Sequence, residues 1–111
     1  MTTLTPDSLQ AAHRVLAEMT YDIQPVAHGY ANRTLHINLT DNTITTQPVT
    51  QQMKDTFTGG RGFCMWLLWH AINPETTWES PENPLLIAGG PIGGITAYPG
   101  SGKSTVVTVS P

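Results

Sequence analysis

The stretch FCMWLLWHAI, residues 63–72, constrains the fold of this chain more than any other part of the sequence. It is apolar at nearly every position, and it is long enough for a helix of about three turns. A helix that is apolar on all sides has to be surrounded by other segments. The sequence therefore predicts a helix over residues 63–72 that is buried all round, with the other elements packed against it.

A second pattern lies on the N-terminal side of this helix. Between Leu35 and Leu39, apolar and polar residues alternate, and the segment 34–49 continues with further β-formers. Alternation at every second residue is typical of a strand that has one apolar face. The TDNT sequence interrupts the pattern and predicts a hairpin with its turn near Asp41 and Asn42.

Shorter elements complete the predicted fold. VTQQMKDTF (49–57) predicts a short helix with Thr50 as its N-cap. PLLIAGGP (84–91) predicts a buried strand, and IGGITAYPGSGK (92–103) predicts a glycine-rich loop. STVVTVSP (104–111) predicts a final strand, because most of its residues are β-branched. The expected fold class is therefore α+β, with four or five strands.

The N-terminal region has a different pattern. Residues 5–23 predict an amphipathic helix with Thr5 as N-cap and Pro6 at the first helical position. Its apolar face follows from residues spaced three or four apart, namely Leu9, Ala12, Leu16, Met19 and Ile23. The turn-rich segment QPVAHGYANR, residues 24–33, then joins this helix to the hairpin.

The composition excludes several classes of function. The net charge is −3 without a basic cluster, which argues against a nucleic-acid partner. Cys64 is the only cysteine, so the chain cannot itself hold an iron–sulfur cluster or a structural zinc, and we expect a buried thiol. The N-terminal residues carry no secretory pattern and no apolar run reaches membrane-spanning length, so we expect a cytoplasmic protein without a membrane partner.

The fraction of charged residues admits two interpretations. Only 12% of the residues are charged, about half of the roughly 25% that is usual for soluble domains. Either another polypeptide covers part of the surface, or the surface is neutral and rich in Thr and Asn. The sequence by itself leaves both open.

AYPGSGKST, residues 97–105, resembles the end of a nucleotide-binding P-loop. In a P-loop a helix begins immediately after the Lys-Ser pair, and its N-terminus holds the phosphates. Here the β-branched segment 104–111 follows, which favours a strand and excludes the nucleotide site. The glycines still permit close approach of the backbone, and Lys103 carries a charge suited to a phosphate. The alternative is a hairpin loop with a solvated lysine.

Four motifs, starting at Gly29, resemble in their order the N-terminal part of the tungsten-containing aldehyde:ferredoxin oxidoreductase family. They are GYANRTLHINLTDNTIT, GGRGFCMWLL, SPENPLLIAGGPIGG and PGSGKSTVVTVSP. The resemblance implies that residues 29–111 form the β-rich half of that family's N-terminal domain, with short helices. It also implies that this half is one wall of a bis-pterin tungsten site. Residues 1–28, with the amphipathic helix, would then be an N-terminal helical extension added to the family fold.

The resemblance also implies the residues that contact the cofactor. In the family, a basic residue just ahead of the last strand contacts cofactor phosphate, and Lys103 occupies that place. Lysine keeps the charge but lacks the two-pronged geometry of arginine. The candidate cofactor-binding residues are Lys103, Gly102, Ser101, Gly100 and Arg61. For Arg61 the alternative is that it caps the preceding helix through backbone carbonyls.

Members of this family are several times longer, and their catalytic residues and iron–sulfur cysteines have no counterpart here. The resemblance therefore implies a component of a tungstopterin oxidoreductase, either a split small subunit or a fragment of a longer protein, that is not catalytic by itself. The reaction would be oxidation of an aldehyde to an acid, or a related low-potential reduction. A larger catalytic subunit would share the tungsten bis-pterin and alone carry the 4Fe-4S cluster, with ferredoxin or an electron-transfer subunit as a further partner. The alternative is a non-catalytic interaction subunit that kept the fold and lost the cofactor.

Overall fold

The computed structural model describes residues 5–95, 97 and 102–111. These residues form three helices and four strands, in the order α1 (Pro6–Ala12), β1 (Arg33–Asn38), β2 (Thr43–Pro48), α2 (Gln51–Thr56), α3 (Arg61–Ala71), β3 (Leu86–Gly89) and β4 (Ser104–Val107). The strands make two separate antiparallel pairs, β1–β2 and β3–β4. The expected α+β class is confirmed.

The N-terminal helix begins as predicted but is much shorter. Thr5 Oγ1 accepts a hydrogen bond from the backbone N–H of Ser8, and Ser8 Oγ accepts one from Thr5, which forms a capping box. The helix ends at Ala12, and the residues from there to position 26 have no regular secondary structure. The predicted helix over residues 5–23 is therefore wrong in its length. No residue of α1 is buried, and a short helix that packs against nothing is marginal in water.

The β1–β2 hairpin has the predicted turn. Ile37 pairs with Ile44, and Asn38 pairs with Thr43 next to the turn. Asn42 closes the turn with φ +58°. The apolar side of this hairpin faces outward, because Leu35 and Ile37 are 56% and 57% exposed. The alternation of the sequence thus predicts the strand correctly but not which face is covered.

Helix α2 agrees with its prediction, since Thr50 Oγ1 accepts a hydrogen bond from the N–H of Met53. Helix α3 also forms, but the prediction that it is buried all round is wrong. Its inner side packs against β3 and β4, whereas Trp69 on its outer side is 79% exposed. Helix α3 therefore contributes to the hydrophobic core through one side, and its other side is exposed.

The β3–β4 sheet is covered on one face only. Leu86 pairs with Val107, and both are half-buried. Ile87 pairs directly with Val106, and these two side chains are 65% and 59% exposed on the other face. The prediction of a buried strand over residues 84–91 is thus correct for one face. The final strand ends at Val107, earlier than the predicted 111.

The core of the described part is small. Its buried hydrophobic side chains are Met53, Phe63, Cys64 and Leu68. They come from α2 and from the inner side of α3. Each of the two sheets, in contrast, has an apolar face that is exposed to solvent. Within the described residues, no helix is long and apolar enough to cross a membrane.

Candidate functional site

Three glycine-bearing segments meet at one end of the fold. They are the turn before β1, the loop before α3 and the bend after β3, and we call their meeting point the glycine junction, defined by Gly29, Gly59, Gly60, Gly90 and Pro91. A Cβ on Gly29 would overlap the carbonyl oxygen of Pro91, and one on Gly59 would lie 2.9 Å from Pro91 Cδ. All three glycines ahead of β1 and α3 have positive φ, at +81°, +144° and +53°. The backbone conformation therefore favours glycine at all three positions, and at Gly29 and Gly59 the lack of space favours it as well.

Beside this packed junction lies an open glycine surface. A Cβ built on Gly89, Gly90 or Gly102 meets no atom within 4 Å. The backbone on this side is therefore bare, and a flat group can approach it closely. At Gly29 and Gly59 the absence of a side chain thus lets two segments pack together, whereas at Gly89, Gly90 and Gly102 the space that a side chain would occupy is open.

Lys103 lies at the edge of the open surface. It immediately precedes Ser104, which pairs with Gly89, the residue before Gly90. The pairing of β3 with β4 thus places the lysine next to the bare glycines. Lys103 is exposed, as its predicted role requires. Ser101 and Gly100 lie outside the described residues.

Arg61 approaches the same place from the helix side. It is the first residue of α3, whose N-cap Gly60 has no side-chain cap. A Cβ on Gly60 would lie 3.6 Å from the backbone of Gly90. Gly90 therefore adjoins both the start of α3 and the start of β4. The backbone positions of Arg61 and Lys103, the two cations of the predicted site, therefore both lie close to Gly90.

The alternative role of Arg61, capping of the preceding helix, is not seen among the described contacts. The C-terminus of α2 is closed by the N–H of Phe57, which donates to Met53 at 2.9 Å. Two other cations have partners: Arg33 donates to the Asp22 carbonyl at 3.1 Å, and Lys54 donates to Asn32. Arg61 has no such bond within the part of the chain that the structure describes.

An open trough of about 1180 Å³ leads to the glycine junction. One wall is β1 with part of β2, the other is the segment 81–91, and the floor includes Phe63 and Leu67. The half-buried His36 lines the first wall, with Nε2 2.9 Å from Thr34 Oγ1. The trough therefore presents both polar and apolar side chains along the hairpin and an apolar floor along α3.

Metal-ligating and nucleophilic residues do not assemble in the described residues. No group of three or more His, Cys, Asp or Glu side chains is placed to hold a metal ion there. Cys64 is 1% exposed, and burial raises the pKa of its thiol, which agrees with the expected structural role. His70 lies with Nδ1 2.8 Å from the carbonyl oxygen of Trp66, one turn earlier in α3. This contact satisfies the histidine without a ligand.

Sequence reasoning missed the residues that hold the junction together. The hydroxyl of Tyr30 donates to the Thr58 carbonyl at 2.6 Å, and Lys54 donates to Asn32, which has φ +57°. Contacts between segments that are far apart leave no periodic signal in the sequence. The turn-rich composition around Gly29 was the only local indication.

Comparison with known proteins identifies the relationship. The family described as "Aldehyde ferredoxin oxidoreductase, N-terminal domain" matches residues 34–111, which is well over half of the chain. The matched region contains all of β1 except its first residue, together with β2, α2, α3, β3, β4 and the open glycines. The residues before β1, including α1, lie outside it. No solved structure matches the chain.

Curated relatives give the same result. The chain is 37% identical over 83 residues to a tungsten-containing aldehyde ferredoxin oxidoreductase of Pyrococcus abyssi, a match that covers 75% of this chain and 14% of the relative. Proteins with the same description from Pyrococcus horikoshii and Pyrococcus furiosus are 36% and 34% identical, over 75% and 76% of this chain and 14% of each relative. The match thus spans about 14% of the length of these relatives.

Proposed function

Because this chain belongs to the aldehyde ferredoxin oxidoreductase family, where it corresponds to the N-terminal domain, we propose that it forms part of the wall of a tungsten bis-pterin site. The observation that carries the proposal is that the backbone of Gly90 adjoins both the start of α3, which is Arg61, and the start of β4, which Lys103 precedes. Two cations beside an open glycine surface suit a flat ligand that carries phosphate.

The residues present fit such a group. The bare glycines leave room for a fused ring system to lie against the main chain. Lys103 binds phosphate as a point charge, and the first turn of α3 adds the positive end of a helix beside Arg61. When bound, the tungsten bis-pterin supplies the two-electron redox chemistry of the family. The role of this chain is to bind and orient that group.

The oxidation of an aldehyde to a carboxylic acid, or a related reduction, needs more than this chain. With one cysteine in the sequence, it has no ligand set for a 4Fe-4S cluster. We assign the cluster, the catalytic residues and the other side of the cofactor to a larger catalytic subunit. Ferredoxin or an electron-transfer subunit would exchange electrons with that subunit, and we expect the complex to work in the cytoplasm, which cell fractionation would test.

The bare sheet faces support a large partner. Ile87 and Val106 on β3–β4, and Leu35 and Ile37 on β1–β2, each expose more than half of their surface. Contiguous exposed apolar residues of this kind mark interaction surfaces. The relatives are about seven times the length of the matched segment, which is 14% of them. The remaining part of the family sequence is therefore the occupant that we propose for these faces.

A charge reversal tests the cofactor role. Lys103→Glu should lower the tungsten and pterin content of the purified complex, because it places a carboxylate beside phosphate. Arg14→Glu is the matched control, since Arg14 is exposed and lies outside the region that matches the family. Metal analysis and pterin fluorescence report the content. If the Lys103→Glu complex contains as much tungsten and pterin as the wild type, the assignment fails and the chain is an interaction subunit without cofactor contact.

A further inference from the structure

The turn before β1 is tied to the loop that carries Arg61. The N–H of Tyr30 donates to the carbonyl of Ala27 at 2.9 Å, and the N–H of Ala27 donates to the carbonyl of Tyr30 at 3.2 Å. These two hydrogen bonds close the turn. From this turn the hydroxyl of Tyr30 reaches over and donates to the carbonyl oxygen of Thr58 at 2.6 Å. Thr58 is the last residue before the two glycines that precede α3. The hydrogen bond therefore fixes the point where this loop begins.

The ring of Tyr30 holds the other end of the same loop. It stacks on Phe63, in the first turn of α3, with ring centroids 6.0 Å apart and an angle of 26° between the planes. In addition, Lys54 Nζ lies 5.1 Å from the centroid of the Tyr30 ring. One side chain thus touches the residue three positions before Arg61 and the residue two positions after it.

The loop between these two contacts has little stiffness of its own. Gly59 and Gly60 have φ values of +144° and +53°, and a glycine pair has access to many other conformations. The direction in which Arg61 leaves the backbone depends on these two residues. A contact that fixes both ends of the pair therefore selects one direction.

We propose that Tyr30 is a positioning residue for Arg61 at the cofactor surface. The proposal rests on the proposed function, since it assumes that Arg61 contacts cofactor phosphate. Tyr30 itself touches no cofactor. It acts by holding the segment from Thr58 to Phe63 against the turn at Gly29, while Lys54 ties the same turn to α2 through Asn32.

The variant Tyr30→Phe tests this, because it removes the hydroxyl and keeps the ring on Phe63. Hydrogen exchange measured by mass spectrometry reports the amides of Gly62 and Cys64, which donate to Gly59 and Gly60 at 3.0 and 3.1 Å. The protein is used in the form in which it purifies, alone or with its partner. We expect these amides to exchange about five to ten times faster, with the amides of β3 and β4 unchanged.

Tungsten and pterin content should fall in Tyr30→Phe, and Tyr21→Phe is the matched control. Tyr21 also faces a cation, Arg33 at 5.0 Å, but it precedes the turn at Gly29 and is 60% exposed. Unchanged exchange at Gly62 and Cys64 would overturn the positioning role. So would faster exchange with full cofactor content.

The two proposals fail in different ways. If Lys103→Glu keeps its tungsten and pterin, the proposed function is wrong whatever Tyr30→Phe does. If Lys103→Glu loses them and Tyr30→Phe does not, the cofactor site stands and Tyr30 has only a structural role. An Arg61→Ala variant should lose as much cofactor as Tyr30→Phe or more, because the tyrosine acts through that arginine.

Discussion

The side-chain amide of Asn83 pairs with the backbone of Val109 in both directions. Nδ2 donates to the Val109 carbonyl, and Oδ1 accepts from the Val109 N–H, both at 3.0 Å. The same amide also donates to Trp78 and accepts from Thr108. Asn83 thus does for the residues after β4 what a neighbouring strand would do.

Replacing this asparagine should loosen the end of the chain. We expect Asn83→Ala to lower the free energy of unfolding by about 1–3 kcal/mol, because it leaves the backbone groups of Val109 without their partner. Urea denaturation followed by tryptophan fluorescence measures the change. Asn38→Ala is the control, since Asn38 is exposed and its side chain bonds only the nearby Thr40. Equal stability of the two variants would contradict the assigned role.

The glycine junction should tolerate no side chain at Gly29. Its φ of +81° and the close approach of the Pro91 carbonyl predict that Gly29→Ala lowers the free energy of unfolding by about 2–4 kcal/mol. Gly89→Ala is the matched control, because open space surrounds that position, and we expect a change within about 0.5 kcal/mol. Thermal unfolding by circular dichroism compares them. A stable Gly29→Ala variant would show that the turn and the bend can move apart.

Cys64 should be inert in the folded chain. Burial raises the pKa of its thiol, so the folded protein keeps less of the reactive thiolate at any pH near 8 than an unfolded chain does. We expect alkylation by iodoacetamide to be at least about tenfold slower without urea than in urea. Mass spectrometry over time gives both rates. Similar rates would mean that the helix opens readily around this residue.

Because burial raises the pKa of the Cys64 thiol in the folded chain, we also expect folding stability to depend on pH. The contribution of the protonated Cys64 thiol to folding stability is complete at pH values below the pKa of the unfolded thiol. Above that pKa the unfolded chain loses the proton and the folded chain keeps it, so folding becomes less favourable as the pH rises. Cys64→Ser removes this dependence and serves as the control.

The exposed face of β3–β4 should make the chain associate when it is expressed alone. Ile87→Lys puts a charge in the middle of that face and should reduce self-association without changing the fold, because the side chain is 65% exposed. Analytical ultracentrifugation compares it with Gln52→Lys, which adds the same charge to an exposed position of α2. A wild-type chain that sediments as a monomer would contradict the prediction.

Local chemistry explains which elements the sequence predicts. The caps at Thr5 and Thr50, and the hairpin turn at Asn42, depend on residues within a few positions of one another. The apolar run identifies α3, alternation identifies the β1–β2 hairpin, and apolar or β-branched composition identifies β3 and β4. Where an element needs only its own residues, the sequence is sufficient.

What the sequence does not predict depends on partners far along the chain. Leu16 and Ile23 have helical spacing but nothing in this structure to pack against, since they are 56% and 88% exposed, and the helix stops before them. The outer side of α3 and the outer faces of both sheets are uncovered for the same reason. The closeness of the start of α3 to the start of β4 likewise arises from the contact of Gly60 with Gly90, which no local pattern encodes.

The small core has a consequence for how this chain responds to heat. With Met53, Phe63, Cys64 and Leu68 as the buried hydrophobic side chains of the described part, folding stability depends strongly on whatever binds the folded form. By mass action, a ligand at one hundred times its dissociation constant adds about 2.7 kcal/mol. The melting temperature should therefore rise with the concentration of the proposed partner and cofactor. Measuring it at a series of ligand concentrations would give their affinities.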